Sequence, residues 1–393
     1  MDLELSEQTA ALRRRTRALI DSEAPPIRLR NGTRALDDAE QWAAWKHWSA
    51  RLYDEQLVGR NWPVEYGGVS DSSPMDDFIV ALEIARARVL PHLFFATFVA
   101  HSIIQFGTEE QKRAFLLKTR SSEIVWCQLF SEPGAGSDLG SLRTRAERRG
   151  DVYIINGQKV WTTQAQNADF GFLLARTSTE GAKHAGITAF LIDMKQPGVV
   201  VRPIREITGT EDFNEVFFTD AVVPVTQRIG AENQGWAVAQ TTLAKERINV
   251  ASYSASTRNA LDDLIDLARQ IKARNGSLPD GYRHRLVSLH AACQIVNNFG
   301  IVIATREQNG KPRTEDPLIM KIMFAETNMS VATFALELLA EKGLYAEGDP
   351  TAVENGRWVD LFLYARTYMI AGGSSEIMRN VLAERVLAMP RDE

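Results

Sequence analysis

Three parts of this chain hold residue types that could do chemistry. In Ser131-Glu132-Pro133-Gly134-Ala135-Gly136-Ser137-Asp138, small residues sit between a proline and a serine. Backbone N–H groups can therefore approach a large planar or phosphorylated ligand without an intervening side chain. About two dozen residues later, Trp161-Thr162-Thr163 adds an aromatic wall and two hydroxyls. The third part is a single carboxylate, Glu246. On a helix starting near Trp236 it shares a face with Ala239, Leu243, Val250 and Tyr253, while Thr241, Thr242, Lys245, Asn249 and Ser252 fall opposite. A carboxylate on an apolar face is costly to keep charged, and burial raises its pKa toward the range of a general base. The bland alternative is that Lys245-Glu246-Arg247 is a solvated charged triplet, and periodicity leaves both open.

The elements that must position these residues follow a helical, then β-rich, then helical order. Residues 1–121 are rich in Ala, Leu, Arg and Glu, with Pro and Gly gathered in a few breaks such as Asn61-Trp62-Pro63-Val64-Glu65-Tyr66-Gly67-Gly68. Thr108 followed three residues later by Gln111 predicts a capped helix start. Residues 122–235 carry short β-rich runs at 152–155, 160–163, 171–174, 187–192 and 216–218. Asn156-Gly157 between the first two predicts a two-residue hairpin. From 236 to 393 the helical period returns. The expected fold is α+β and mostly α: an N-terminal helical domain (1–121), a central antiparallel β-barrel domain (122–235) and a C-terminal helical bundle (236–393).

Composition narrows the function classes. The chain has 393 residues, 45% of them hydrophobic and 24% charged, as in an ordinary globular protein of more than one structural unit. A formal net charge of −5 offers no basic field for nucleic acid. No uninterrupted apolar run approaches the roughly 18–20 residues of a membrane span. The charged N-terminal segment lacks a signal-peptide core, so a cytoplasmic location is the expectation. Cys127 and Cys293 are the only cysteines, and the six histidines form no ligand pair in sequence, so no metal site is expected.

These separated motifs, spread over nearly the whole chain, resemble the acyl-CoA dehydrogenase family of FAD enzymes. Its members remove hydrogen across the α and β carbons of acyl-CoA thioesters and pass electrons to an electron-transferring flavoprotein. The resemblance implies a flavin between the β domain and the C-terminal helices. Gln128, Leu129, Phe130, Ser131, Gly136, Ser137 and Thr162 would line it, Trp161 would stack at its ring, and Thr163 would hydrogen-bond to its hydride-accepting edge. Ser137 would also face the CoA portion, together with Arg247. The C-terminal stretch Tyr368-Met369-Ile370-Ala371-Gly372-Gly373-Ser374-Ser375-Glu376-Ile377 would bring Gly372, Gly373, Ser374 and Glu376 to the cofactor. Many members carry their catalytic base at the position of Gly372. A minority have glycine there and a base matching Glu246, which is therefore the expected base here.

The resemblance weakens where homotetrameric members clamp the flavin's pyrophosphate and adenosine. Neither of the usual motifs is clear in Ala273-Arg274-Asn275-Gly276-Ser277-Leu278-Pro279-Asp280-Gly281-Tyr282 or in Ala340-Glu341-Lys342-Gly343-Leu344. Steroid-degrading members divide these roles between two subunit types, so the expected assembly is either a homotetramer or an α2β2 heterotetramer acting on a bulky or branched acyl-CoA. The other readings are an acyl-CoA oxidase or flavin monooxygenase on the same fold, and a non-catalytic subunit completing a partner's flavin site.

Overall fold

The structure, a computed structural model, describes residues 5–25, 39–89, 94–246 and 250–390. Among them the chain forms two compact units. One comprises residues 36–72 and 91–246, the other residues 1–35, 73–90 and 247–393.

The first unit holds helices α2 (Ala39–Asp54), α4 (Phe94–Phe106), α5 (Glu109–Arg120) and α6 (Gly235–Glu246), together with the sheet. Helices α1 (Glu7–Glu23) and α3 (Pro74–Arg86) belong to the second unit. The strands are β1 (Trp126–Leu129), β2 (Arg145–Arg149), β3 (Val152–Thr163), β4 (Phe170–Arg176), β5 (Ile187–Asp193), β6 (Val199–Ile204), β7 (Phe213–Pro224) and β8 (Arg228–Ile229). Their order is β6-β7-β3-β2-β4-β5-β8, with β1 added in parallel to β4. The expected barrel is thus corrected to an open, mostly antiparallel sheet.

The predicted hairpin at Asn156-Gly157 is also corrected. Both residues lie inside β3, and the pairing with β7 slips between Ile155 and Gly157. Gly157 has φ +150°, and a Cβ there would sit 2.6 Å from Thr144 Oγ1 and 2.7 Å from Thr144 Cα. This glycine serves a bulge and a close backbone approach rather than a turn.

The capped start of α5 is present. Thr108 accepts from the Gln111 amide at 3.3 Å and the Gln111 side chain accepts from the Thr108 amide at 2.9 Å. The Gln111 amide group then donates to the Thr226 and Arg228 carbonyls, tying the helix start to the end of the sheet. Two apolar cores fill the unit. One joins α4, α5 and α6 to Trp126, Phe130 and Phe172, and the other packs β1, β3, β4, β5 and β7 around Tyr153 and Phe190.

The second unit adds α7 (Val250–Asn275), α8 (Tyr282–Gln308), α9 (Asp316–Leu339), α10 (Arg357–Ile370) and α11 (Ser375–Val381). Its core runs from Leu261 and Leu264 on α7 through Val331 and Phe334 on α9 to Trp358 and Leu361 on α10. Ion pairs fasten α1 and α7 to their neighbours. Glu83, only 5% exposed, receives Arg13 and Arg17, and Asp263 receives Arg88 and Arg357. Burial, the strongest influence on Glu83, pushes its carboxyl upward, but the two arginines outweigh it and hold it below the usual range. Helices α8 and α9 are each long and apolar enough, by length and composition, to cross a membrane. Half of the α9 apolar stretch is buried in the unit, whereas Val287 and Ile295 on α8 remain exposed.

Candidate active site

In the sheet unit, the segment 128–137 and the end of β3 come together. β1 carries Gln128 and Leu129 opposite Phe172 and Leu173 of β4. The Leu129 and Phe130 side chains are buried in the two cores, so these positions offer only backbone to a ligand. Ser131 follows, half-buried, and its carbonyl accepts from the Val160 amide at 2.9 Å. That bond seats the loop directly beside Trp161.

The loop turns tightly between Glu132 and Ala135, whose backbones exchange hydrogen bonds of 3.0 Å in both directions. Gly134, Gly136 and Ser137 are exposed. A Cβ built on Gly134 or Gly136 would meet nothing within 4 Å. Asp138 ends the loop, receiving Lys183 and the Ser141 hydroxyl, which hold its carboxyl below the usual range.

β3 ends in a second bulge, where its pairing with β7 slips between Lys159 and Thr162. Trp161 occupies the slip at φ +60° and is 59% exposed. A tryptophan in that left-handed region is held against its own preference, and such strain persists only where the surroundings fix it. Its ring meets Phe213 edge-on at 6.2 Å. Thr163 is half-buried, whereas Thr162 is buried, and among the described residues its Oγ1 has no hydrogen-bond partner.

A buried lysine and a half-buried arginine hold this arrangement, and neither stands out in the sequence. Lys159, fully buried, donates to the Phe130 carbonyl at 2.9 Å and to Glu132 at 2.8 Å. The Glu132 carboxylate also accepts the Arg143 and Thr144 amides at 2.6 and 2.9 Å. Burial lowers the Lys159 ammonium to about 8 against the pull of Glu132. For Glu132 burial acts upward, yet Lys159 and the hydrogen bonds prevail and hold the carboxyl below its usual range. Arg176 of β4 donates to the carbonyls of Gly140 and Leu142, pinning the chain just beyond the loop. No pattern short of the folded pairing announces contacts between residues 27 apart.

Helix α6 places Glu246 as its last residue, and the side chain of Glu246 lies outside the described side chains. Arg247 lies outside the described residues. Ala239 is buried and Leu243 packs on the same core, as the periodicity implied, and Val238 is buried as well. Thr242 is a correction: it is 1% exposed rather than on an outer face. Its hydroxyl lies 2.9 Å from the Val238 carbonyl, to which it donates, and 2.7 Å from Ser102 Oγ, so burial leaves it satisfied.

In the helical unit, Gly372 and Gly373 link α10 to α11 with φ of +69° and +97°. The Gly373 carbonyl accepts from Lys321 Nζ at 2.6 Å. A Cβ on Gly373 would lie 2.2 Å from Met378 Cε. Ser374 caps α11, accepting from the Ile377 amide at 3.3 Å. Glu376 is exposed in the first turn, where its own amide and the Ser374 hydroxyl hold its carboxyl below the usual range. Among the described residues no cluster of His, Cys, Asp and Glu could hold a metal ion.

Sequence profiles for the acyl-CoA dehydrogenase N-terminal, middle and C-terminal domains match residues 6–123, 127–221 and 233–387. The chain belongs to the acyl-CoA dehydrogenase family. It is an oxidoreductase acting on CH–CH groups, as the relatives are. Acyl-CoA dehydrogenase IpdE1 of Mycobacterium tuberculosis is 36% identical over 348 residues, 88% of each protein. Acyl-CoA dehydrogenase FadE34 of the same organism is 38% identical over 86% of the chain, which spans only 46% of FadE34. Among solved structures, the Tcur3481-Tcur3483 steroid ACAD matches with a TM-score of 0.87 at 28% identity, and the ChsE4-ChsE5 complex from Mycobacterium tuberculosis with 0.85 at 27%. Both matches cover 100% of each chain.

The residues of this family member fit the isoalloxazine part of FAD. The loop beside Trp161 has open space at Gly134 and Gly136, and Trp161 presents an uncovered aromatic face.

Proposed function

We propose that this acyl-CoA dehydrogenase introduces an α,β double bond into an acyl-CoA thioester, with FAD held by Gln128–Ser137 and Trp161–Thr163. The observation that carries the reading is Trp161. It is an exposed tryptophan on a strained bulge, hydrogen-bonded through its neighbour Val160 to the glycine loop at Ser131. When bound, FAD supplies the acceptor for the hydride leaving the β carbon. Glu246 takes the α proton. The backbone of residues 128–131 and Trp161 orient the acceptor, while Ser137 and Arg247 meet the CoA portion. Electrons pass on to an electron-transferring flavoprotein.

We further propose a bulky or branched, steroid-side-chain-like acyl group and an α2β2 assembly in the cytoplasm, with residues 1–121, 122–235 and 236–393 acting as three domains. The similarity to the Tcur3481-Tcur3483 steroid ACAD and to the ChsE4-ChsE5 complex supports this, as does the exposed apolar side of α8 at Val287 and Ile295. Such a surface is what a partner subunit covers. A homotetramer is the second form.

The test is to express the chain alone and with its candidate partner subunit, then measure FAD stoichiometry, particle mass and enoyl-CoA formation with an electron-transferring flavoprotein. The proposal expects full FAD and turnover only in the mixed particle. Stoichiometric FAD in a homo-oligomer selects the homotetramer, and absence of enoyl-CoA from every flavin-loaded assembly removes the dehydrogenase reading. Rapid reoxidation of the reduced enzyme by air would instead favour an oxidase or monooxygenase.

A further inference from the structure

Lys159 is fully buried, and nothing in the proposed chemistry uses it. Its position in the chain is telling. It stands two residues before Trp161, and the carboxylate it meets, Glu132, stands one residue after Ser131. We infer that Lys159 and Glu132 are a positioning pair that sets the glycine loop 131–137 against the Trp161 bulge, and so shapes the flavin-holding surface.

A buried ion pair is a weak source of stability. Apolar residues of similar volume often serve a core as well or better, because the desolvation of two charges offsets their attraction. What the pair supplies is direction. The ammonium fixes two points on the loop at once, the Phe130 carbonyl at 2.9 Å and Glu132 at 2.8 Å. The carboxylate in turn gathers the amides of Arg143 and Thr144, where the chain leaves the loop. The loop's entry and exit are therefore both referred to one atom of β3. Beyond this pair, the bond from the Val160 amide to the Ser131 carbonyl also ties loop to bulge. Inside the loop Ala135 is buried and pairs with Glu132, while Gly134 and Gly136 have no neighbour within 4 Å of a built Cβ.

The inference rests on the proposal that Ser131 and Trp161 hold FAD, and its test separates the two. Lys159→Met, Glu132→Gln and the double variant are made in the full chain, in whichever assembly binds FAD. The double variant removes both charges and keeps a carboxamide oxygen for one of the Arg143 and Thr144 amides, so unlike either single variant it strands no buried charge. Amide hydrogen exchange, visible circular dichroism of the flavin, FAD affinity and turnover are then measured.

The expected result is faster exchange at Val160, Arg143 and Thr144, with the β4–β5 amides of Leu173 and Ala189 unchanged. The flavin dichroism should alter, FAD affinity should fall, and turnover of the flavin-loaded assembly should fall by on the order of 10²-fold, the cost typical of a displacement near 1 Å. A folded double variant with the wild-type spectrum and affinity overturns the positioning role, whatever its exchange pattern. If the wild type takes up no FAD in any assembly, the flavin reading fails instead. Exchange at Val160 then decides the tie by itself: acceleration sustains it and wild-type protection removes it.

Discussion

The loop at 131–137 and the turn at 372–373 are both rich in glycine, but their glycines answer different needs. Gly136 sits in open space with no left-handed φ, whereas Gly373 has φ +97° and Met378 Cε 2.2 Å from where a Cβ would be. The first leaves open space on its outer side. The second is glycine because the chain itself turns there. The anchoring differs as well. The sheet-unit loop is held by a buried ion pair and paired backbone, while the helical turn has one lysine, Lys321, on its carbonyl. A glycine-rich motif therefore does not by itself mark a ligand site; what would occupy the Cβ position separates the two cases.

This contrast can be broken by substitution. Gly373→Ala should lose about 1–3 kcal/mol, the usual strain of a side chain forced into that backbone region, measured by urea unfolding. Flavin content should fall along with stability. Thr162→Val should act oppositely, gaining about 1 kcal/mol, because it replaces a buried hydroxyl that lacks a partner. Loss of stability would mean that the hydroxyl is satisfied by an internal water bridging it to the protein. Gly136→Ala should leave unfolding within about 0.5 kcal/mol while weakening FAD binding, as titration of the apoprotein would show. Equal losses of stability at Gly136 and Gly373 would erase the distinction between them.

The smallest effect concerns pH. Burial lowers the Lys159 ammonium from 10.5 to about 8, so between those values the unfolded chain binds more protons than the folded one. Stability should rise with pH across that window. Lys159→Met should lack this rise, and identical slopes in both proteins would contradict the assignment.

Much of this was legible in the sequence where the signal is local. The capping box at Thr108 and Gln111, the β-rich middle and the return to helix at Gly235 each depend on neighbours within a turn or two. Asn156-Gly157 misled because a hairpin and a bulge both favour glycine, and the choice was made by Thr144 lying against Gly157. Thr242 misled because its polarity suggested solvent, while Ser102, 140 residues away, supplied a buried partner. Lys159 and Glu132 were silent for the same reason, since their meaning arises only once β3 lies along the loop. The roles of the motif residues themselves were assigned by family resemblance.

The central claim is that Glu246 removes the α proton, and the most direct measurement mixes acyl-CoA anaerobically with flavin-loaded enzyme and with Glu246→Gln. The account predicts that the visible flavin band bleaches in the wild type, while the variant retains its flavin but bleaches about 10²–10⁴-fold more slowly, the range of a lost general base. Bleaching of Glu246→Gln at the wild-type rate would contradict it.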